Sequence, residues 1–285
     1  MDERFAYLLG LIYGNGRIVQ GNISSRVLID IPHKNLQDDN GFDVQVYVTA
    51  TIPVIQAIIG GLLGIVINSE QVDSKTTLYF DLDNQSLSMA HLRNYTDNVS
   101  TCREMRIHPD IFLEGESVRL SVLQGIGDVT GYVRQSNYFF TKPKHRVYIE
   151  IPKNWYLAID ICNLLKSCEI PVHNLNWGHP NMRDPQNKGN NWRKEHQIKI
   201  YVNQYMRVGF RARHKQASLT ALNQELLTLD QNFIASTNRF YWEGVDRRKI
   251  KPVHPDENDN FIPVAIRGIH YNSWKDIARD LGYHA

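Results

Sequence analysis

The chain has 285 residues and a mass of 33.0 kDa, with 42% hydrophobic and 22% charged residues and 32 Lys and Arg against 30 Asp and Glu. This balance excludes a disordered, collagenous or coiled-coil main state, and the length suits two units that each bury a core. The charge is unevenly placed: residues 1–115 hold 8 basic and 14 acidic side chains, whereas residues 131–215 hold 15 and 5.

The chain opens with acids where an export signal needs basic residues, and it runs straight from an apolar stretch into a polar one, so no export signal is expected. The apolar run predicts a helix that ends at a glycine, Gly16. The alternation after it puts Ile18 on one strand face and Arg17 and Val19 on the other. A second strand follows over 26–32, Arg-Val-Leu-Ile-Asp-Ile-Pro, and residues 41–50 read as an insertion or an extra strand. The longest apolar run, 52–67, is broken by Gln56 and by Gly60-Gly61. It falls short of the ~20 residues that cross a bilayer, which predicts a buried helix over 51–66 and no membrane partner. Strands over 66–72 and 76–82 and a helix over 85–97 complete the first unit.

The same order then repeats. Residues 122–135, VLQGIGDVTGYVRQ, match residues 7–20, YLLGLIYGNGRIVQ, with Gly10 on Gly125 and Gly16 on Gly131 at an offset of 115. The segment Arg-Val-x-Ile-Asp/Glu-Ile-Pro recurs at 146–152. The second copy continues with a helix over 154–170, strands over 172–177 and 196–202, and a helix over 215–229. Each copy therefore reads α-β-β-α-β-β-α. The small residues Gly10 and Gly14, and Gly125 and Val129, allow the two first helices to approach closely and to meet at a pseudo-twofold axis.

Cys102, Cys162 and Cys168 are too few and too irregular for a disulfide framework, and no Cys-x-x-Cys pair has zinc-ligand spacing. A reducing compartment fits this usage, cytoplasmic and nucleoid-associated or organellar. The turn at Gly14-Asn15-Gly16 follows a helix rather than a strand and lacks Gly-Lys-Ser/Thr, so it is no phosphate loop.

The two motifs, LLGLIYGNG at 8–16 and LQGIGDVTG at 123–131, resemble those of the LAGLIDADG homing endonucleases in their single-chain, two-motif form. The likeness covers residues 4 to about 230 in motif, element order and spacing. It implies an α+β fold of two pseudo-symmetric units, residues 1–115 and 116–235, whose saddle-shaped antiparallel sheets flank the paired motif helices and lie in the major groove of double-stranded DNA. It also implies a monomer that acts as a pseudo-dimer. In that family the eighth motif position holds an acid in each copy, and the two acids bind a divalent cation such as Mg²⁺ that activates water against a phosphodiester.

This chain departs from the pattern there, with Asn15 and Thr130 at the eighth positions. Asp128, at the sixth position of the second motif, is the nearby acid, either as a metal ligand or as a helix-end hydrogen-bonding residue. Asn15 fits a natural loss of activity, a natural asymmetric centre, or an Asp→Asn change that traps a complex. The metal-binding set is Asn15 and Asp128 with Gly14 and Val129. The resemblance further implies a basic residue on the last strand of each unit, for which Lys199 is the candidate catalytic partner of Asn15 and Asp128, its alternative being a surface lysine.

DNA contacts follow from strand parity. With Val133 inward, Tyr132, Arg134, Ser136 and Tyr138 face out, joined by Lys142, Lys144 and Arg146. The matching set in the first copy is thinner: Arg17, Gln20, Asn22 and Arg26. The long loop 177–194 adds Arg183, Lys188 and Arg193, unless it is a plain surface loop. Arginine reads guanine bidentately, and lysine mainly neutralises phosphate. Residues 236–285 form a C-terminal extension. Its last segment, 270–282, predicts a small helix that either grips DNA or packs on the body. The leading expectation is a metal-dependent DNA endonuclease of homing or restriction type; the alternatives are a non-cleaving DNA-binding regulator and an RNA-splicing maturase.

Overall fold

The computed structural model describes residues 1–33, 44–72, 74–134, 145–176, 195–229, 264–266 and 269–271. Helix α1 (Glu3–Asn15) starts at Asp2, whose carboxylate accepts the Arg4 N–H at 2.6 Å, and stops at Gly16. Capping of this kind satisfies amide groups that the first turn leaves without helical partners. Strands β1 (Gly16–Val19) and β2 (Ser24–Pro32) form a hairpin. Helix α2 (Val44–Leu63), β3 (Asn68–Val72), β4 (Lys75–Asp83) and α3 (Leu87–Tyr95) complete the first unit. The first sheet runs β1-β2-β4-β3, antiparallel throughout.

After a short helix α4 (Pro109–Leu113), the second unit repeats the order with α5 (Glu116–Thr130), β5 (Gly131–Arg134), β6 (Arg146–Pro152), α6 (Trp155–Ser167), β7 (Asn174–Asn176) and β8 (Glu195–Tyr201). Its sheet runs β5-β6-β8-β7, the same order as the first. A single turn, α7 (Val202–Tyr205), leads to α8 (Arg213–Leu229). Farther on, β9 (Val264–Ile266) and β10 (Ile269–Tyr271) pair as a two-stranded ribbon that takes in His270 and Tyr271. The predicted C-terminal helix, from its Asn272 or Ser273 cap onward, lies outside the described residues.

The stretch 44–50 is the first part of α2 and not an extra strand. Its alternating valines carry a β signal, but Val48, Ile52, Ile55 and Ile59 enter the core at spacings of four, three and four, one face of a helix. Only 33% of the apolar window Val46–Leu63 is buried, less than expected of a buried helix, and by length and composition alone the helix is long and apolar enough to cross a membrane.

The two sheets pack their inner faces on the helices. Val27, Ile29 and Ile31 of β2 and Val147, Ile149 and Ile151 of β6 are fully buried, and their neighbours face outward. The connection between the units is tied to the second one. Asp160 on α6 takes the Arg106 guanidinium at 2.5 and 2.6 Å, and Asn154 Nδ2 donates to the carbonyls of Cys102 and Met105 at 2.9 and 2.7 Å.

His196, near the start of β8, is 3% exposed beside Trp155 (ring centroids 5.3 Å apart), and burial pushes its pKa down to about 4 from an ordinary 6.5. Between those values the unfolded chain takes up a proton that the folded chain refuses. Stability therefore falls as the pH drops from 6.5 to 4, by about 3 kcal/mol in full. Denaturant unfolding at pH 7.5 and 4.5 checks this, with His196→Gln expected to show a shallower decline than wild type.

Candidate DNA interface and composite centre

Helices α1 and α5 meet backbone to backbone. A Cβ on Gly10 would stand 2.1 Å from the Val122 carbonyl oxygen, and one on Gly125 would stand 2.2 Å from that of Tyr7. Farther along, Val129 Cγ2 fills the space a Gly14 side chain would take, at 2.5 Å. The partners keep nearly one offset, so the helices run alongside in the same direction and bring Asn15 and Thr130 to one end of the pair.

Both eighth-position side chains are engaged there with backbone. Half-buried Asn15 donates through Nδ2 to the Asp30 carbonyl oxygen at 2.8 Å. Thr130, buried, turns its hydroxyl back to the Ile126 carbonyl at 2.6 Å, the i−4 bond open to a helical threonine. Asp128, two residues earlier, projects about 200° around the helix from Thr130. Its fully buried carboxylate accepts the Tyr7 hydroxyl at 2.7 Å and the amides of Arg211 and Ala212 at 3.1 and 3.2 Å. Burial raises its pKa above the usual carboxylate value, with Lys215, Tyr7 and the two amides opposing the rise.

Lys215, the third residue of α8, closes the end of α5. Its Nζ donates to the carbonyls of Gly131, Asp128 and Gly127 at 2.6, 2.8 and 3.3 Å. A cation at a helix C-terminus meets the carbonyls that the last turn leaves open. Burial pushes this lysine down to about 7, and Asp128 opposes that shift. In the first unit the matching carbonyl, of Gly16, is taken instead by the Cys102 amide at 3.0 Å. The two ends of the centre are thus secured by different chemistry.

Two acids on the strands beside the motif ends, Asp30 and Glu150, are absent from the expected site residues. They occupy the same place in the recurring Arg-Val-x-Ile-Asp/Glu-Ile-Pro segment, and that recurrence is the signal that finds them. Asp30 pairs with Lys75 Nζ at 2.7 Å and Thr77 Oγ1 at 2.7 Å, with Arg17 at 3.4 Å. Glu150 accepts from Tyr132 at 3.0 Å and Gln197 at 3.1 Å. Among the described residues no group of three or more His, Cys, Asp or Glu is placed to hold a metal. The oxygens offered at the motif ends, from Asn15 and the backbone of Gly14 and Val129, are neutral, and neutral oxygens hold a hard divalent cation weakly.

The outer faces of the two sheets differ. On the second, Tyr132, Tyr148, Lys199 and Asn174 lie in one row across the strands, and Arg134, Arg146 and Tyr201 in the next. Tyr132 and Tyr148 stack with centroids 5.3 Å apart, Lys199 Nζ stands 5.1 Å over Tyr148, and Arg146 lies 5.6 Å over Tyr201. Lys199 therefore belongs to this aromatic and basic face. On the first sheet Arg17 lies beside Asp30, and Arg26 is bonded to Asp81, while Gln20 and Asn22 are exposed in the β1–β2 turn. Ser136, Tyr138, Lys142, Lys144, Arg183, Lys188 and Arg193 lie outside the described residues.

Two α-β-β-α-β-β-α units of one strand order, joined through motif helices in backbone contact, reproduce the arrangement that the motifs implied. This is the α+β architecture that the resemblance to the LAGLIDADG homing endonucleases implied. Solved structures similar to this chain include I-DmoI in complex with DNA and Mn, at 17% identity and a TM-score of 0.38, covering 70% of this chain and 90% of that one. A variant of I-SmaMI is similar at 8% identity and a TM-score of 0.42, covering 86% and 99%. Full-length DUF199/WhiA from Thermotoga maritima is similar at 12% identity and a TM-score of 0.42, covering 82% and 64%. No protein-family model and no curated protein matches the chain.

Proposed function

We propose that this LAGLIDADG-fold chain is a sequence-specific reader of double-stranded DNA, a monomer whose two halves take the place of two subunits, and that its centre, as this sequence has it, binds without cutting. The observation that carries the reading is the outer face of the second sheet. There Arg134, Arg146 and Lys199 stand over or beside tyrosine rings in a regular grid, and neither of the two rows that hold them contains an acid. Guanidinium groups on such a face read base edges in the major groove, and the ammonium neutralises phosphate.

The absence of cutting rests on the side chains of the centre. Cleavage of the kind the family resemblance implies needs anionic oxygens to hold Mg²⁺ or another divalent cation. Position 15 offers an amide whose nitrogen is held by Asp30, and position 130 offers a hydroxyl already spent on its own helix. A second reading, an endonuclease disabled at one step, is favoured by Asn15 alone, because Asp has nearly the same shape and α1 already presents this residue half-exposed at the motif end.

Selection of bound duplexes from a random library, followed by incubation of the winner with Mg²⁺, tests both. The expected result is one long enriched site, left intact by the chain. Nicking that appears on Asn15→Asp supports the disabled nuclease, and cleavage by the unchanged chain overturns the reading of a centre that does not cut. Structured RNA that displaces the duplex, or no enrichment at all, overturns DNA reading and points to an RNA partner.

A further inference from the structure

The pair Arg26–Asp81 lies on the outer face of the first sheet, where β2 and β4 set the two residues directly opposite. Asp81 accepts from Nε at 2.8 Å and from Nη2 at 2.9 Å, a side-on fork, and the Tyr79 ring lies 5.4 Å from the guanidinium carbon. The side chains are 51% and 47% exposed, so water competes for the pair, and an ion pair of this kind adds little to stability. Its consequence is geometric. With Nε and one edge of Nη2 taken, the free donors are those of Nη1 and the outer hydrogen of Nη2, which together form an end-on fork directed away from Asp81.

Charge separates this arginine from those of the second sheet. Arg26 and Asp81 are neutral as a unit and draw phosphate weakly. Arg134 and Arg146 stand opposite each other in register, with no acid across from either among the described strands, and Arg146 faces Tyr201 on its other side. An end-on guanidinium fork matches O6 and N7 of guanine, two acceptors side by side; adenine offers one acceptor and one donor there. We propose that Arg26 reads a guanine in the half-site bound by the first unit, and that Asp81 is the positioning residue that aims it.

This inference rests on the DNA-reading proposal, and the test keeps the two apart. Library selection is run with the full chain, Arg26→Ala and Asp81→Asn, and the affinity of each for the winning site is measured against salt. In the selected profile one guanine position in the half-site of the first unit should flatten with Arg26→Ala, a loss of about tenfold or more against other bases. The slope of log affinity on log salt should stay unchanged, because no counterion release is lost. Asp81→Asn should keep binding while weakening the same preference and steepening the salt dependence, since it leaves an unpaired cation. A profile unaltered by Arg26→Ala, or a uniform loss over all sequences with a shallower salt slope, overturns the inference while the DNA-reading proposal stands. Failure of the unchanged chain to enrich any duplex overturns both.

Discussion

Replacing Gly125 by alanine is expected to destabilise the chain by about 3 kcal/mol or more, at the upper end of what an overpacked core costs. The new methyl group would stand 2.2 Å from the Tyr7 carbonyl oxygen, 2.8 Å from the Leu11 nitrogen and 3.0 Å from the Gly10 carbonyl carbon. All three are backbone atoms of α1, so no side chain can swing aside and relief requires the helices to separate. Separation would open the contact of two buried helices whose flanking residues Leu8, Leu11, Val122 and Ile126 are fully inaccessible to water. Gly61, in the last turn of α2, is the control: a methyl group there meets nothing within 4 Å. Alanine at that position should be neutral or stabilising by up to about 1 kcal/mol, the helix-propensity difference. Denaturant unfolding of both variants decides the matter, and a cost under about 1 kcal/mol at Gly125 would mean that the helices are not in backbone contact.

Lys215→Met should lower stability by about 3 kcal/mol, because it strips the donor from three carbonyls at the end of α5 and leaves the buried Asp128 carboxylate without its nearby cation. The pH dependence gives the sign a second check. The folded pKa of Lys215 is about 7 against an ordinary 10.5, so between those values the unfolded chain holds a proton that the folded chain has released. Wild-type stability then rises with pH across this window, and the methionine variant lacks that rise. Unfolding midpoints at pH 6.5 and 9 should therefore lie farther apart between the two proteins at the higher pH. A constant gap would place the Lys215 charge in contact with water.

The repeat made most of this architecture legible. Glycine at matching places, Gly10 with Gly125 and Gly16 with Gly131, located both motif helices and their ends, and alternation around Ile18 and Val133 gave the outer faces of the hairpins. Residues 44–50 misled because valine favours strands locally, whereas packing of Val48 against the core decides for helix. At the centre the limit was distance along the chain. Lys215 meets Gly131 across 84 residues and Tyr7 meets Asp128 across 121, contacts for which no local pattern exists. Asp128 looked available because sequence spacing ignores direction; two positions along a helix turn a side chain to the far side.

The close match of α1 to α5 also sets the order of events at the ribosome. Helix α1 is made before α5, and its residues from Phe5 to Gly14 are all buried in the finished protein. The residues they pack against are about 115 positions later, which at about 5–20 residues per second leaves an apolar helix without its partner for roughly 6–23 s. Pairing at that separation is slow to form and gives little local reward. A nascent chain halted before α5 would therefore expose a sticky segment, and the burden on chaperones during synthesis should exceed what the stability of the completed fold would suggest.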